Sequence, residues 1–259
     1  MHTHSDNVLS KVPQITLSFW LIKILATTLG ETGGDALSMS LDLGYLLSTL
    51  IFAALFFSAV TLQIRATQYR PALYWLTIIA TTTVGTTLAD FADRSLGIGY
   101  TGGSLLLLGL LLASFFVWSR TQGGITTGNG TAKTEMYYWI TIMFSQTLGT
   151  ALGDWTADDA GLGYAGSSLI FGGLLLALCL AYYFTSLSRV VLFWAAFVLT
   201  RPLGAVVGDF LDKPIAHGGL ELSRYYASLT LLMAIAGLVI TTTMLEKRRS
   251  SLPQLADVE

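Results

Sequence analysis

Charge is what this sequence has least of. Only 12% of its 259 residues are Asp, Glu, Lys or Arg, whereas a soluble domain carries about 25%. Too few charged side chains remain to cover a water-facing surface. Those present also cluster: none falls between Leu43 and Gln63, between Leu96 and Ser119, or between Ala160 and Ser188. Cysteine is almost absent. Cys179 stands alone inside an apolar run, which excludes an internal disulfide. Histidine is scarce too, with His2 and His4 in the N-terminal tail and His217 in a predicted turn. All three read as solvated residues. The net charge of −2 comes without a basic stripe, which excludes nucleic acid as a partner. There is no H-E-x-x-H, G-x-S-x-G or Walker pattern, and the loops are too short for a catalytic domain. Neither an enzyme nor a cofactor is expected.

What is abundant is apolar. Mean hydropathy is +0.64, and the uncharged stretches are about 18 residues or longer, the length that matches a bilayer core. Too many occur for a buried soluble core. The first is too long for a cleavable leader and lacks a small-residue cleavage site, so it is expected to persist as a helix.

A repeat organises these stretches. Four aromatic–Trp pairs recur: Phe19-Trp20, Tyr74-Trp75, Tyr138-Trp139 and Phe193-Trp194. Ten residues after each Trp stands a glycine (Gly30, Gly85, Gly149, Gly204), and five later an aspartate (Asp35, Asp90, Asp154, Asp209). Nine further on comes a second glycine (Gly44, Gly99, Gly163, Gly218), then after five a hydroxyl (Thr49, Ser104, Ser168, Ser223). The pattern W-x9-G-x4-D-x8-G-x4-[ST] thus occurs four times without a gap. Repeats 2 and 4 add a second acid, Asp93 and Asp212, where repeats 1 and 3 have Ser38 and Ala157. In these features the chain resembles the bacterial membrane proteins built from four tandem copies of a repeat of unknown function, each with two transmembrane segments and a characteristic tryptophan. The resemblance runs from about Trp20 to Met244 and speaks for architecture, leaving function open.

The expected fold is an all-α membrane protein with eight transmembrane helices, near 15–34, 43–64, 72–91, 99–119, 136–155, 163–185, 190–210 and 221–244. An even number of spans per repeat makes the four repeats parallel, pseudo-symmetric about an axis along the membrane normal. The chain divides into a tail (1–13), repeat 1 (14–70), repeat 2 (71–120), a Gly/Thr/Asn-rich loop (121–134), repeat 3 (135–188), repeat 4 (189–245) and a second tail (246–259). Lys11, Arg65, Arg70, Arg120, Lys133, Arg189 and Lys247 to Arg249 fall on one side, against Arg94, Lys213 and Arg224 on the other. That asymmetry predicts cytoplasmic termini in a bacterial inner membrane. The aromatic pairs suit either interfacial anchoring or packing between repeats.

Site candidates follow from the repeat and from its exceptions. The small residues Gly30, Gly85, Gly149 and Gly204 suit close helix approach in lipid. The four aspartates admit two readings. Carboxylates near lipid must face an interior, a partner or water, and four of them suit a divalent metal; alternatively each caps the helix that follows. Three residues break the repeat. Repeat 1 has Glu31 where the others have Thr86, Thr150 and Ala205, and Lys23 where they have Ile78, Ile142 and Phe197. Repeat 4 has Arg201 where the others have Thr27, Thr82 and Gln146. Arg201 is expected to pair with Glu31 or Asp35. The sequence therefore suggests a small secondary transporter of a cation, with a divalent metal preferred and proton coupling as an option; Glu31 would be an asymmetric ion ligand or the proton carrier. Asp35, Asp90, Asp154 and Asp209 would be the ligands, Asp93 and Asp212 secondary acids, and Lys23 and Arg201 counter-ions. A channel-like or ligand-binding bundle, or a structural protein with capping aspartates, is the alternative. The expected partners are the lipid bilayer and a small inorganic cation; oligomeric state is left open.

Overall fold

A computed structural model describes residues 11–126 and 131–251. His2 and His4 lie outside them. Eight α-helices follow the chain: α1 (Leu17–Asp35), α2 (Gly44–Arg65), α3 (Pro71–Asp90), α4 (Gly99–Gln122), α5 (Ala132–Asp154), α6 (Gly163–Phe184), α7 (Arg189–Asp212) and α8 (Arg224–Ser251). Local chemistry sets several ends. The Thr16 and Thr131 hydroxyls accept from the backbone N–H of Phe19 and Thr134, and Pro71 opens α3 at a position that needs no N–H donor. Helix α7 runs unbroken through Pro202.

The turn inside each repeat is helical in a way the periodicity does not announce. In repeats 1 to 3 the odd helix passes into one π-helical turn directly after its aspartate, at Ala36–Ser40, Phe91–Ser95 and Trp155–Asp159. Repeat 4 instead continues to Asp212, then makes a loop with a 3-10 turn at Ile215–His217. The second repeat glycine has one backbone reason in all four copies. Gly44, Gly99, Gly163 and Gly218 have φ of 71°, 75°, 64° and 84°, the left-handed region that a side chain disfavours.

The odd helices form the interior. Helix α1 packs on α3, α3 on α5, α5 on α7, and α7 back on α1. Each even helix lies outside and packs on the next repeat's odd helix: α2 on α3, α4 on α5, α6 on α7, and α8 on α1. The even helices turn leucines outward, among them Leu50, Leu105, Leu169 and Leu229. Six helices are long and apolar enough to cross a membrane. Helices α1 and α5 are not among them. Both are interior helices whose polar residues, Lys23 and Glu31 in one and Glu135 and Gln146 in the other, are buried against protein. The chain is a helical membrane protein of internal repeats.

The aromatic pairs pack between repeats. Phe19 meets Trp75 at 5.5 Å between ring centres, Tyr74 meets Trp139 at 5.9 Å, Tyr138 meets Trp194 at 5.7 Å, and Phe193 meets Trp20 at 5.8 Å. The first aromatic of one repeat touches the tryptophan of the next, and repeat 4 closes on repeat 1. Tyr74 and Tyr138 also share a hydrogen bond of 2.9 Å between hydroxyls. The glycines follow the same cyclic rule. A Cβ on Gly30 would meet the Thr82 side chain, on Gly85 the Gln146 side chain and backbone, on Gly149 the Arg201 side chain, and on Gly204 Thr27. Each glycine receives the residue three places before the next repeat's glycine, so the close approach expected from small residues is a contact between consecutive repeats.

Candidate functional site

Along the interior helices a polar layer follows the aromatic one, and the repeat aspartates follow that. Lys23 is fully buried; its ammonium donates to Thr200 Oγ1 at 3.3 Å and stands 3.9 Å from the centre of the Phe197 ring. Among the described residues it reaches no carboxylate, so the expected counter-ion role for Lys23 is not what the geometry provides. Its stem and charge are taken up by a hydroxyl and a ring face.

Arg201 behaves as the sequence suggests. Its Nη2 donates to Glu31 Oε2 at 3.0 Å, to Thr86 Oγ1 at 2.5 Å and to Thr150 Oγ1. Those three acceptors hold the same repeat position in repeats 1, 2 and 3; the fourth such position is Ala205, in the arginine's own repeat. One guanidinium therefore touches every other repeat at the centre of the bundle. Arg201 Nε and Nη1 are buried without hydrogen-bond partners, as are both amide atoms of Gln146.

The four repeat aspartates are all buried, but they do not form one metal-sized set. They divide between two bridging cations. Arg94 lies 3.1 Å from Asp90 through Nε and 3.4 Å from Asp154 through Nη2. Lys213 pairs with Asp35 and lies 3.2 Å from Asp209. Arg224 adds a contact of 3.8 Å to Asp35 and one of 3.1 Å to Asp212. Among the described residues one group of acids can converge on a metal: Glu31, Asp35 and Asp209, each offering an oxygen within 4.8 Å of the others. Asp90 and Asp154, expected as ligands with Asp35 and Asp209, fall outside it and are bridged by Arg94 instead.

The capping reading is corrected as well. No backbone N–H donates to any of the four aspartates among the described residues; both oxygens of Asp90, and one each of Asp35 and Asp209, have no hydrogen bond at all. In repeats 1 to 3 a π turn carries the chain onward before the next helix begins, and in repeat 4 α7 itself continues past Asp209 to Asp212, so each carboxylate stays on the interior helix. Of the secondary acids, Asp212 takes Arg224, while Asp93 is buried under Gly103 with both oxygens unbonded.

Arg94, Lys213 and Arg224 count as turn charges in the sequence, yet the fold brings all three to the interior acids. The signal that finds the first two is their spacing. Asp90 and Arg94, like Asp209 and Lys213, are four residues apart, the helical distance for an ion pair.

Four stretches of the chain, residues 18–69, 73–123, 137–188 and 192–248, match the family described as Repeat of Unknown Function (DUF347). The chain belongs to this family. The four matched stretches coincide with the four helical hairpins, so the family's unit is the α1–α2 type of pair, and the loop after Gly123 lies between two matches. No curated protein and no solved structure matches the chain.

Proposed function

We propose that the chain is a small secondary transporter of an inorganic cation, with a divalent metal ion as the substrate that its ligand chemistry suits. The observation that carries this is the convergence of Glu31, Asp35 and Asp209 in the protein interior. Carboxylate oxygens are the donors that hard divalent cations take, and buried intramembrane acids are costly unless they serve a partner or a pathway. Arg201 and Lys213 then act as internal counter-ions, and exchange of a proton at Glu31 is the coupling the site offers. In this reading all eight helices span the bilayer, as four parallel hairpins about an axis along the membrane normal. The polar α1 and α5 cross shielded by the other six. The Lys/Arg asymmetry supports cytoplasmic termini in a bacterial inner membrane, and nothing in the site calls for enzymatic chemistry.

A channel is the weaker alternative. The Arg201 guanidinium on the bundle's centre and the aromatic ring beyond it both oppose a continuous cation path.

The test is the metal content of cells expressing wild type or one of four Asp→Asn variants. Asp35→Asn and Asp209→Asn should abolish expression-dependent accumulation or depletion of one metal. Asp90→Asn and Asp154→Asn should reduce it less. If the variants fold and no metal's content depends on expression of the wild type, the proposal is wrong.

A further inference from the structure

Repeats 2 and 4 share a short pattern after the repeat aspartate, Asp90-Phe91-Ala92-Asp93-Arg94 and Asp209-Phe210-Leu211-Asp212-Lys213. The closing cation joins its own repeat's aspartate to that of the next repeat in the ring: Arg94 joins Asp90 to Asp154, and Lys213 joins Asp209 to Asp35. The two bridges occupy equivalent places but are built differently.

Arg94 is locked. Besides the two carboxylates, its Nε donates to the Tyr100 hydroxyl at 3.0 Å and its Nη1 to the Tyr45 hydroxyl at 3.1 Å, with both rings alongside it. It also sits inside a π-helical turn. Lys213 has only carboxylates, Asp35 and Asp209, among the described residues. Its backbone is extended, with φ −73° and ψ 156°, where α7 gives way to a loop.

The acids differ too. Next to the Lys213 bridge stands Glu31 as a third carboxylate; the equivalent residue of repeat 3 is Thr150. Ligand capacity is left over at this bridge. Asp35 is fully buried, and its Oδ2 alone meets Lys213 and Arg224, while Oδ1 has no hydrogen-bond partner. A surface groove of about 300 Å³, lined by Ser40, Asp212, Pro214, Glu221 and Arg224, opens beside these residues.

We propose that Lys213 is a tethered, displaceable occupant of a single divalent-cation site formed by Glu31, Asp35 and Asp209 between repeats 4 and 1, and that Arg94 permanently closes the corresponding place between repeats 2 and 3. The inference rests on the cation reading above. A lysine suits such an occupant, because its ammonium is a compact point charge on a flexible stem, whereas a guanidinium forms a planar fork that holds its partners together. The incoming ion arrives through the groove and takes the three carboxylates. The ammonium swings out to the groove, where Asp212 and Glu221 receive it. No bond is made or broken, and the site exchanges one positive charge for two.

The experiment is Mn²⁺ binding to the full chain purified in detergent, followed by the electron paramagnetic resonance signal of the free aquo ion. Wild type should bind one ion. Lys213→Ala should bind one ion on the order of tenfold more tightly, since the competitor is gone. Lys213→Arg keeps a positive charge between Asp35 and Asp209 on a planar fork that holds both carboxylates, and should bind none. Wild-type affinity in either variant overturns the inference; if Asp35→Asn and Asp209→Asn still abolish binding, the cation reading stands without it. Should Lys213→Ala fail to fold, the arginine variant decides alone. If neither wild type nor any folded variant binds Mn²⁺, the cation reading itself fails.

Discussion

Arg201 of the last repeat donates to Glu31 of the first across 3.0 Å, in a fully buried pair. The bond joins residues 170 positions apart and completes the ring of interior helices. Burial makes such a pair sensitive to the loss of one member, because the survivor is left charged and alone.

Arg201→Met should therefore destabilise the protein by roughly 3–5 kcal/mol. The double variant Arg201→Met, Glu31→Leu should recover most of that loss. Thermal unfolding in detergent, arranged as a double-mutant cycle, measures both. A double variant no more stable than the single one would show that packing around Arg201, rather than the charge pair, carries the effect.

Glycine substitutions should divide by location. Gly149→Ala and Gly204→Ala place a methyl against Arg201 and Thr27, an overpacking that costs about 1–3 kcal/mol. Gly109 and Gly172 have nothing within 4 Å of an added Cβ. Alanine there should be neutral, or gain up to ~1 kcal/mol from helix propensity. Melting temperatures of the four variants test the contrast.

At the aromatic ring, Tyr74→Phe leaves the Tyr138 hydroxyl buried without its 2.9 Å partner. The cost should be about 1–3 kcal/mol. Removing both hydroxyls should be nearly neutral, since no polar group is then stranded. Chemical unfolding monitored by fluorescence of the adjacent tryptophans reads out either result.

Gly219 rests on the carbonyl of Lys213, and a Cβ there would overlap it. Gly219→Ala should lift the loop that follows α7 while sparing the aromatic ring. Limited proteolysis should then cut near residues 214–222 faster than in wild type, with a smaller change in melting temperature than Gly204→Ala produces. Unchanged cleavage would mean that the loop absorbs the methyl without moving.

The eight helices and the four hairpins were legible because apolar length and a gapless repeat are properties of sequence spacing. The Arg201–Glu31 pair was legible because two opposite charges in apolar surroundings have few partners to choose from. The π turns after Asp35, Asp90 and Asp154 were not, since they differ from an α-helix by one residue per turn and leave the apolar pattern unchanged. Nor was the offset by which each even helix packs on the next repeat, a choice made by tertiary contacts. The ion pairs of Arg94 and Lys213 were not legible, because a count of charges per side ignores the helical spacing that carries them back to the acids.

The ring also sets a timetable. Glu31 and Asp35 are among the first interior residues made, and their partners Arg201 and Lys213 are among the last. At ~5–20 residues per second, the 170 residues between Glu31 and Arg201 take roughly ten to thirty seconds to translate. For that interval the oldest helix carries acids with no cation from repeat 4. Until repeat 4 is made, Glu31 and Asp35 have none of the cations that pair with them in the finished ring.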